Sequence, residues 1–390
     1  MVSFENTEIA FQSHSNYQLR KAWLLFKLIG NNRIVKWSKP LAGLAVKVSF
    51  PFKYLIKETI YEHFCGGESI KECETTIDKL HKYHVATILD YSVEGKETEA
   101  DFDRTAREIM DTQDRAALDD KIPFNVFKLT GIARFGLLEK ISEASELNEA
   151  EQHEFDRVRE RVEMICKKAA EIDRYIMMDA EESWIQPIMD ELMLSMMKRF
   201  NKDKALIINT FQMYRHDRLE VLKQLINKGK EEGFHVGVKL VRGAYMEKER
   251  ARAIEMGYPS PIQPDKESCD KDYNSALELI VSNINMMTLC AGSHNEKSAH
   301  KLTELMQKHG LEKNDHRIYF SQLLGMSDHI SFNLANAGYN VAKYVPYGPV
   351  KDVLPYLIRR AEENTSVAGQ TSRELALLSK ERARRNQINR

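Results

Sequence analysis

HVGVKLVRG, residues 235–243, is a short apolar, β-branched run that carries a lysine and closes on Arg242 and Gly243. A run of that length, ended by a turn residue and followed from Met246 by a longer segment of helical period, reads as a buried strand with its return helix. The same pattern recurs in ATILDYS from Ala86, FNVFKLTGI from Phe124, YIMMDAEE from Tyr175, ALIINTFQMY from Ala205, NMMTLCAGS from Asn285, HRIYFSQLLG from His316 and NVAKYVPYG from Asn340. Alternating strand and helix favours a parallel sheet, and eight units match a closed (βα)8 barrel better than an open doubly wound sheet. No GxGxxG opens the first unit, so the usual dinucleotide fingerprint is missing. The expected organisation is a helical arm over 1–60, the barrel over 61–370 and a Lys/Arg-rich surface helix over 371–390, without independent domains.

Composition agrees with a globular chain. At 390 residues, 43% hydrophobic and 29% charged, there is material for a large core, and a net charge of -1 offers no field to attract a nucleic acid. Five scattered cysteines, without CxxC spacing, read as reduced and structural. The opening MVSFENTEIAFQSHSN resembles no targeting presequence, so a cytoplasmic location is expected, and no run is apolar enough to span a membrane. One local asymmetry stands out. Residues 18–57 hold Arg20, Lys21, Lys27, Arg33, Lys36, Lys39, Lys47, Lys53 and Lys57, interleaved with Trp23, Phe26, Trp37, Phe50, Phe52 and Tyr54, and no acidic residue. Such an arm suits peripheral contact with an anionic lipid surface, or packs on the core as an ordinary solvated face.

In a parallel barrel the polar groups at the C-terminal strand ends matter most. They are Asp90, Lys128, Asp179, Gln212, Lys239 with Arg242, Ser293 with His294, Gln322 and Tyr344. Any one alone is more often a salt-bridge partner, but a full ring of them points to a site. The eighth unit leads into VKDVLPYLIRRAEEN, where Leu354, Leu357, Ile358 and Ala361 form an apolar stripe and Tyr356, Arg359, Arg360 and Glu363 a second, charged one. Paired guanidiniums offer forked donors to a carboxylate, and the tyrosine an apolar wall. No HExxH or GxSxG occurs, which disfavours metal-assisted hydrolysis and serine acyl transfer, and a lone His294 is more often structural than a metal ligand.

From about Ile9 to Asn364 the chain resembles proline dehydrogenases of the eukaryotic-like branch. VKLVRGAYMEKERARA from Val238, YFSQLLGMSDHISFNLANAGYNVAKYVPYGP from Tyr319 and YLIRRAEEN from Tyr356 carry the resemblance. It implies a distorted (βα)8 barrel with FAD at its mouth, the last helix above it, and oxidation of L-proline to Δ1-pyrroline-5-carboxylate by hydride transfer to flavin N5. Arg359, Arg360 and Lys128 then correspond to the carboxylate-binding residues, and Tyr344, Tyr356, Tyr245 and Leu240 to the walls of the ring pocket. Asp179 stands beside that pocket and Lys239 near N5, where bacterial bifunctional members commonly have Arg. Lys239 keeps the charge and loses the planar fork.

On the cofactor side the resemblance assigns Ala180, Gln212, Arg242, Gly243, Ala244, Ser293, His294, Gln322 and Glu363 to FAD. It also implies a membrane quinone as electron acceptor. The aldehyde dehydrogenase part of the bifunctional relatives has no counterpart before Arg390, so a separate pyrroline-5-carboxylate dehydrogenase is expected downstream. The alternatives are a hydroxyproline dehydrogenase, whose members have a smaller residue where Tyr344 stands here, and a barrel that binds flavin or proline without turnover.

Overall fold

The computed structural model describes residues 2–29, 57–93, 97–366 and 370–388, the side chains of Ile29, of 361–366 and of Gln370 excepted. Its strands are β1 Val85–Tyr91, β2 Phe124–Lys128, β3 Tyr175–Asp179, β4 Ile207–Gln212, β5 Val236–Val241, β6 Met287–Gly292, β7 Ile318–Leu323 and β8 Val341–Tyr347. They close in sequence order into a barrel. The expected α/β barrel is the fold found: seven of the eight expected runs contain a whole strand, and the first, from Ala86, covers all of β1 but Val85. β4 is buried along its whole length, as a parallel strand covered on both faces must be, which is why these runs lack polar alternation. Gly237 lets β4 and β5 approach closely, since a Cβ there would lie 2.3 Å from the Ile207 carbonyl oxygen.

The chain forms two compact units, one spanning 95–321, the other joining the residues before 95 to those from Gln322 onward. In the first, the helix Glu99–Ala117 starts at Thr98, whose hydroxyl accepts from the Asp101 N–H, and buries Phe102, Ala106, Ile109 and Ala116 on one face. Phe124 stacks on Tyr175 at 4.7 Å and meets Tyr319 edge-on at 4.8 Å. Rings from β2 and β3 can touch one from β7 only across the barrel interior, so this trio fills its N-terminal end.

In the second unit the helices Asn16–Ile29 and Gln370–Ile388 share a core of Phe11, Leu19, Ala22, Phe26, Leu377 and Leu378. The C-terminal helix is a surface helix with one face packed into this core: Leu377 and Leu378 are buried, while Ser379, Lys380, Asn386 and Gln387 are exposed. Its charges are satisfied locally: Arg384 and Arg385 donate to the fully buried Glu381, and Arg385 also donates to the carbonyls of Phe11 and His14. Of the basic arm, Phe26 is buried and Lys21 pairs with Glu62 at 2.6 Å, while Arg33, Lys36, Lys39, Lys47 and Lys53 lie outside the described residues. On β8, Lys343 is wholly buried; its ammonium donates to Asp328 at 2.8 Å and to the carbonyls of Leu323 and Met326. All five cysteines are free and buried.

Candidate active site

Strand ends gather the polar residues expected there, and several meet in pairs. In the first unit Lys239 on β5 donates to Asp179 at the end of β3, Nζ to Oδ1 2.6 Å, with little of either side chain exposed. The two residues assigned separate roles from sequence thus form one ion pair, and attraction in a dry setting holds each in one orientation. Leu240 beside it is fully buried. Lys128 ends β2, half-buried, and Ala180 follows Asp179 directly.

Arg242, just past β5, is fixed on every side. Its Nε donates to Asp270 Oδ1 at 2.7 Å, its Nη1 to Ser293 Oγ and its Nη2 to Ser298 Oγ, both at 2.8 Å, and its plane lies 4.2 Å over the Tyr273 ring. Burial pushes the Asp270 carboxyl up, but Lys266 and Arg242 outweigh it and hold the group below its ordinary range. Arg242 and Ser293 are thus brought together, while His294 follows on the same loop, half-buried. Gly243 adopts φ 134°, and a Cβ there would fall 2.5 Å from the Tyr214 ring, so the turn needs glycine. Gly243 and Ala244 are exposed, and Tyr245 opens the helix Met246–Met256. Gln212, buried at the end of β4, donates from Nε2 to the Glu181 carbonyl at 3.0 Å, which sets its side-chain orientation.

The loop after β3 holds residues that sequence reasoning passed over. Glu181 accepts from the Thr130 N–H at 3.1 Å and from the Thr130 hydroxyl at 2.5 Å. Ser183 gives both its N–H and its hydroxyl to Glu249, a fully buried carboxylate one turn into the helix that Tyr245 opens, and Glu182 pairs with Lys248. Asp179 and Glu181 therefore tie this segment to β5 and to the turn after β2, and Glu182 and Ser183 tie it to the helix Met246–Met256. The run of acids directly behind a strand was the one available signal.

In the second unit Tyr344 is buried in the middle of β8 rather than at its end, and its carbonyl accepts from the Leu324 N–H at 2.8 Å. Gln322 on β7 accepts from the Ser331 hydroxyl at 2.8 Å, and Asp90 from Ser92. On the helix Val350–Ser366, Arg360 lies 5.3 Å over the Tyr356 ring, one turn away. Tyr356 packs in a core with Leu25, Tyr61, Phe64, Val353 and Leu357, so the second stripe is more buried than a charged face suggests. Arg359 is half-buried, and the side chain of Glu363 lies outside the described residues. Among the described residues no group of three or more His, Cys, Asp or Glu is placed to hold a metal ion.

The proline dehydrogenase family model matches residues 73–373. The chain belongs to the proline dehydrogenase family. Among its relatives, human proline dehydrogenase 1, mitochondrial, is 41% identical over 280 residues, which is 71% of this chain and 46% of the human protein. Hydroxyproline dehydrogenase of Xenopus laevis is 30% identical over 412 aligned residues, 96% of this chain and 88% of that one. The solved structure of proline utilization A from Bdellovibrio bacteriovorus, inactivated by N-propargylglycine, shares the fold with a TM-score of 0.74 at 19% identity, over 91% of this chain and 42% of that one. The chain thus spans less than half the length of the human and Bdellovibrio proteins.

Proposed function

We propose that this chain oxidises L-proline to Δ1-pyrroline-5-carboxylate with bound FAD, and that the electrons pass on to a membrane quinone. Membership of the proline dehydrogenase family carries the reading. The residues present fit such a cofactor: a guanidinium at Arg242 fixed by Asp270, Ser293 and Ser298 suits a pyrophosphate, and the turn that follows leaves Gly243 and Ala244 exposed beside it. Ala180, Gln212, Ala244, Ser293, His294, Gln322 and Glu363 complete the proposed cofactor residues. When bound, FAD supplies the two-electron acceptor for the C–H bond next to the ring nitrogen.

This chain's task is placement. Lys128, Arg359 and Arg360 bind the proline carboxylate, and Tyr245, Tyr344, Tyr356 and Leu240 enclose the ring and exclude water, which holds the reacting carbon in near-attack range. The Lys239–Asp179 pair keeps one cation oriented at the reacting end without leaving its charge uncompensated. The bulk of Tyr344, buried on β8, favours proline over a ring bearing a hydroxyl. The basic stretch from Arg20 to Lys57 is proposed to meet the anionic surface that holds the quinone.

Replacing Arg359 or Arg360 by Met tests the carboxylate assignment. Removing one charge-assisted contact costs about 2 to 4 kcal/mol, hence a loss of roughly 30-fold to 1000-fold in kcat/KM for proline, expressed mainly in KM, with FAD still bound. Near-normal kinetics in both variants would take the arginines out of the substrate site.

A further inference from the structure

Glu181 has no part in the roles assigned so far, yet it is among the most constrained residues of the first unit. It is 5% exposed. Its two carboxylate oxygens take the N–H and the hydroxyl of Thr130, two residues beyond Lys128, while its carbonyl takes the amide of Gln212. One residue thus braces the turn after β2 against the end of β4. Thr130 is bonded to its carboxyl and Gln212 to its carbonyl, and the charges of Lys128 at the end of β2 and of Glu182 on its own loop act on the carboxyl.

Burial pushes the Glu181 carboxyl up to about 7; the neighbouring Glu182 adds to this, and the Thr130 bonds and the Lys128 charge oppose it. While neutral, it leaves the charge of Lys128 to other anions. Once ionised, it sets a fixed negative charge against that same lysine. We infer that Glu181 is a positioning residue whose proton governs how strongly Lys128 holds the substrate carboxylate. The inference rests on the proposed role of Lys128. Its consequence follows from reciprocity: a ligand carboxylate drawn to Lys128 raises the affinity of Glu181 for a proton, so binding near neutral pH takes up a proton from solvent onto the Glu181 carboxyl.

The test uses the full FAD-loaded chain and cyclopentanecarboxylate, a ring carboxylate with no amine to oxidise. Calorimetric titration in two buffers of different ionisation enthalpy reads proton uptake directly and needs no turnover. Wild-type protein should take up a fraction of a proton near pH 7, and its affinity should fall by up to about tenfold between about pH 6 and pH 8, the effect of a one-unit rise in the Glu181 pKa on binding. Glu181→Gln should abolish both the uptake and the pH dependence. Thr130→Val, which removes a donor to the charged form, should keep the transition and move it to higher pH. Equal uptake in wild type and Glu181→Gln, or an affinity in wild type that ignores pH, overturns the inference while leaving the substrate site intact. If instead Lys128→Met binds the carboxylate as tightly as wild type, the substrate-site reading itself fails, and the inference with it.

Discussion

At their N-terminal ends β2, β3 and β7 carry Phe124, Tyr175 and Tyr319, whose rings pack against one another across the barrel. Four residues further along, on the same faces of β2 and β3, stand Lys128 and Asp179. The same strands therefore hold an aromatic plug at one end and charged groups at the other. The plug is held by ring packing and one hydrogen bond from the Tyr175 hydroxyl to the His316 carbonyl, whereas Asp179 pairs with Lys239 from β5 and the loop behind it is bound by Thr130, Gln212, Lys248 and Glu249. The difference separates two jobs: rigidity is supplied at one end, and at the other that rigidity lets buried charges stay oriented at a cost in stability.

Phe124→Ala should break the comparison most visibly. Removing a large ring from this plug costs about 3 to 5 kcal/mol, seen as a lower denaturation midpoint, while the protein that remains folded keeps its kcat/KM within about twofold. A large drop in kcat/KM without a loss of stability would show that the two ends do not divide the work.

Glu181 offers a smaller effect of opposite sign at the other end. Burial pushes its carboxyl up to about 7, above the ordinary glutamate range, so the fold favours the neutral form. The stability this group contributes is fully present below its unfolded pKa and is lost as pH rises through about 7. Glu181→Gln removes that loss. Relative to wild type, the variant should therefore gain about 2 kcal/mol in unfolding free energy on going from about pH 5 to about pH 8. Parallel pH profiles in urea unfolding would mean that the carboxyl does not titrate in this range.

Much of this was readable in the residues alone. Strands of a parallel barrel are buried on both faces, so runs such as HVGVKLVRG stand out without any tertiary information, and the polar residues closing them mark the mouth. Pairing was not readable. Glu181 and Thr130 are separated by 51 positions, and Ser183 and Glu249 by 66, so the DAEES stretch looks in sequence like any acidic loop. The buried face of the helix Gln370–Ile388 is hidden in the sequence for a related reason. The helix's abundant Lys and Arg advertise a solvated surface, while the adjacent Leu377 and Leu378 that anchor it, and the buried Glu381 that its own arginines neutralise, give only a weak helical stripe. Lys343 shows the same limit, because a lysine in a strand next to Tyr344 gives no hint that Asp328 and two carbonyls will bury it.

Anaerobic addition of L-proline to the FAD-loaded protein, followed by flavin absorbance, tests the proposed chemistry most directly. The yellow band should bleach in proportion to proline with one equivalent of Δ1-pyrroline-5-carboxylate formed per flavin, and trans-4-hydroxyproline should act far more weakly. A protein that fails to hold FAD, holds it but stays yellow under saturating proline, or bleaches preferentially with hydroxyproline would contradict the account.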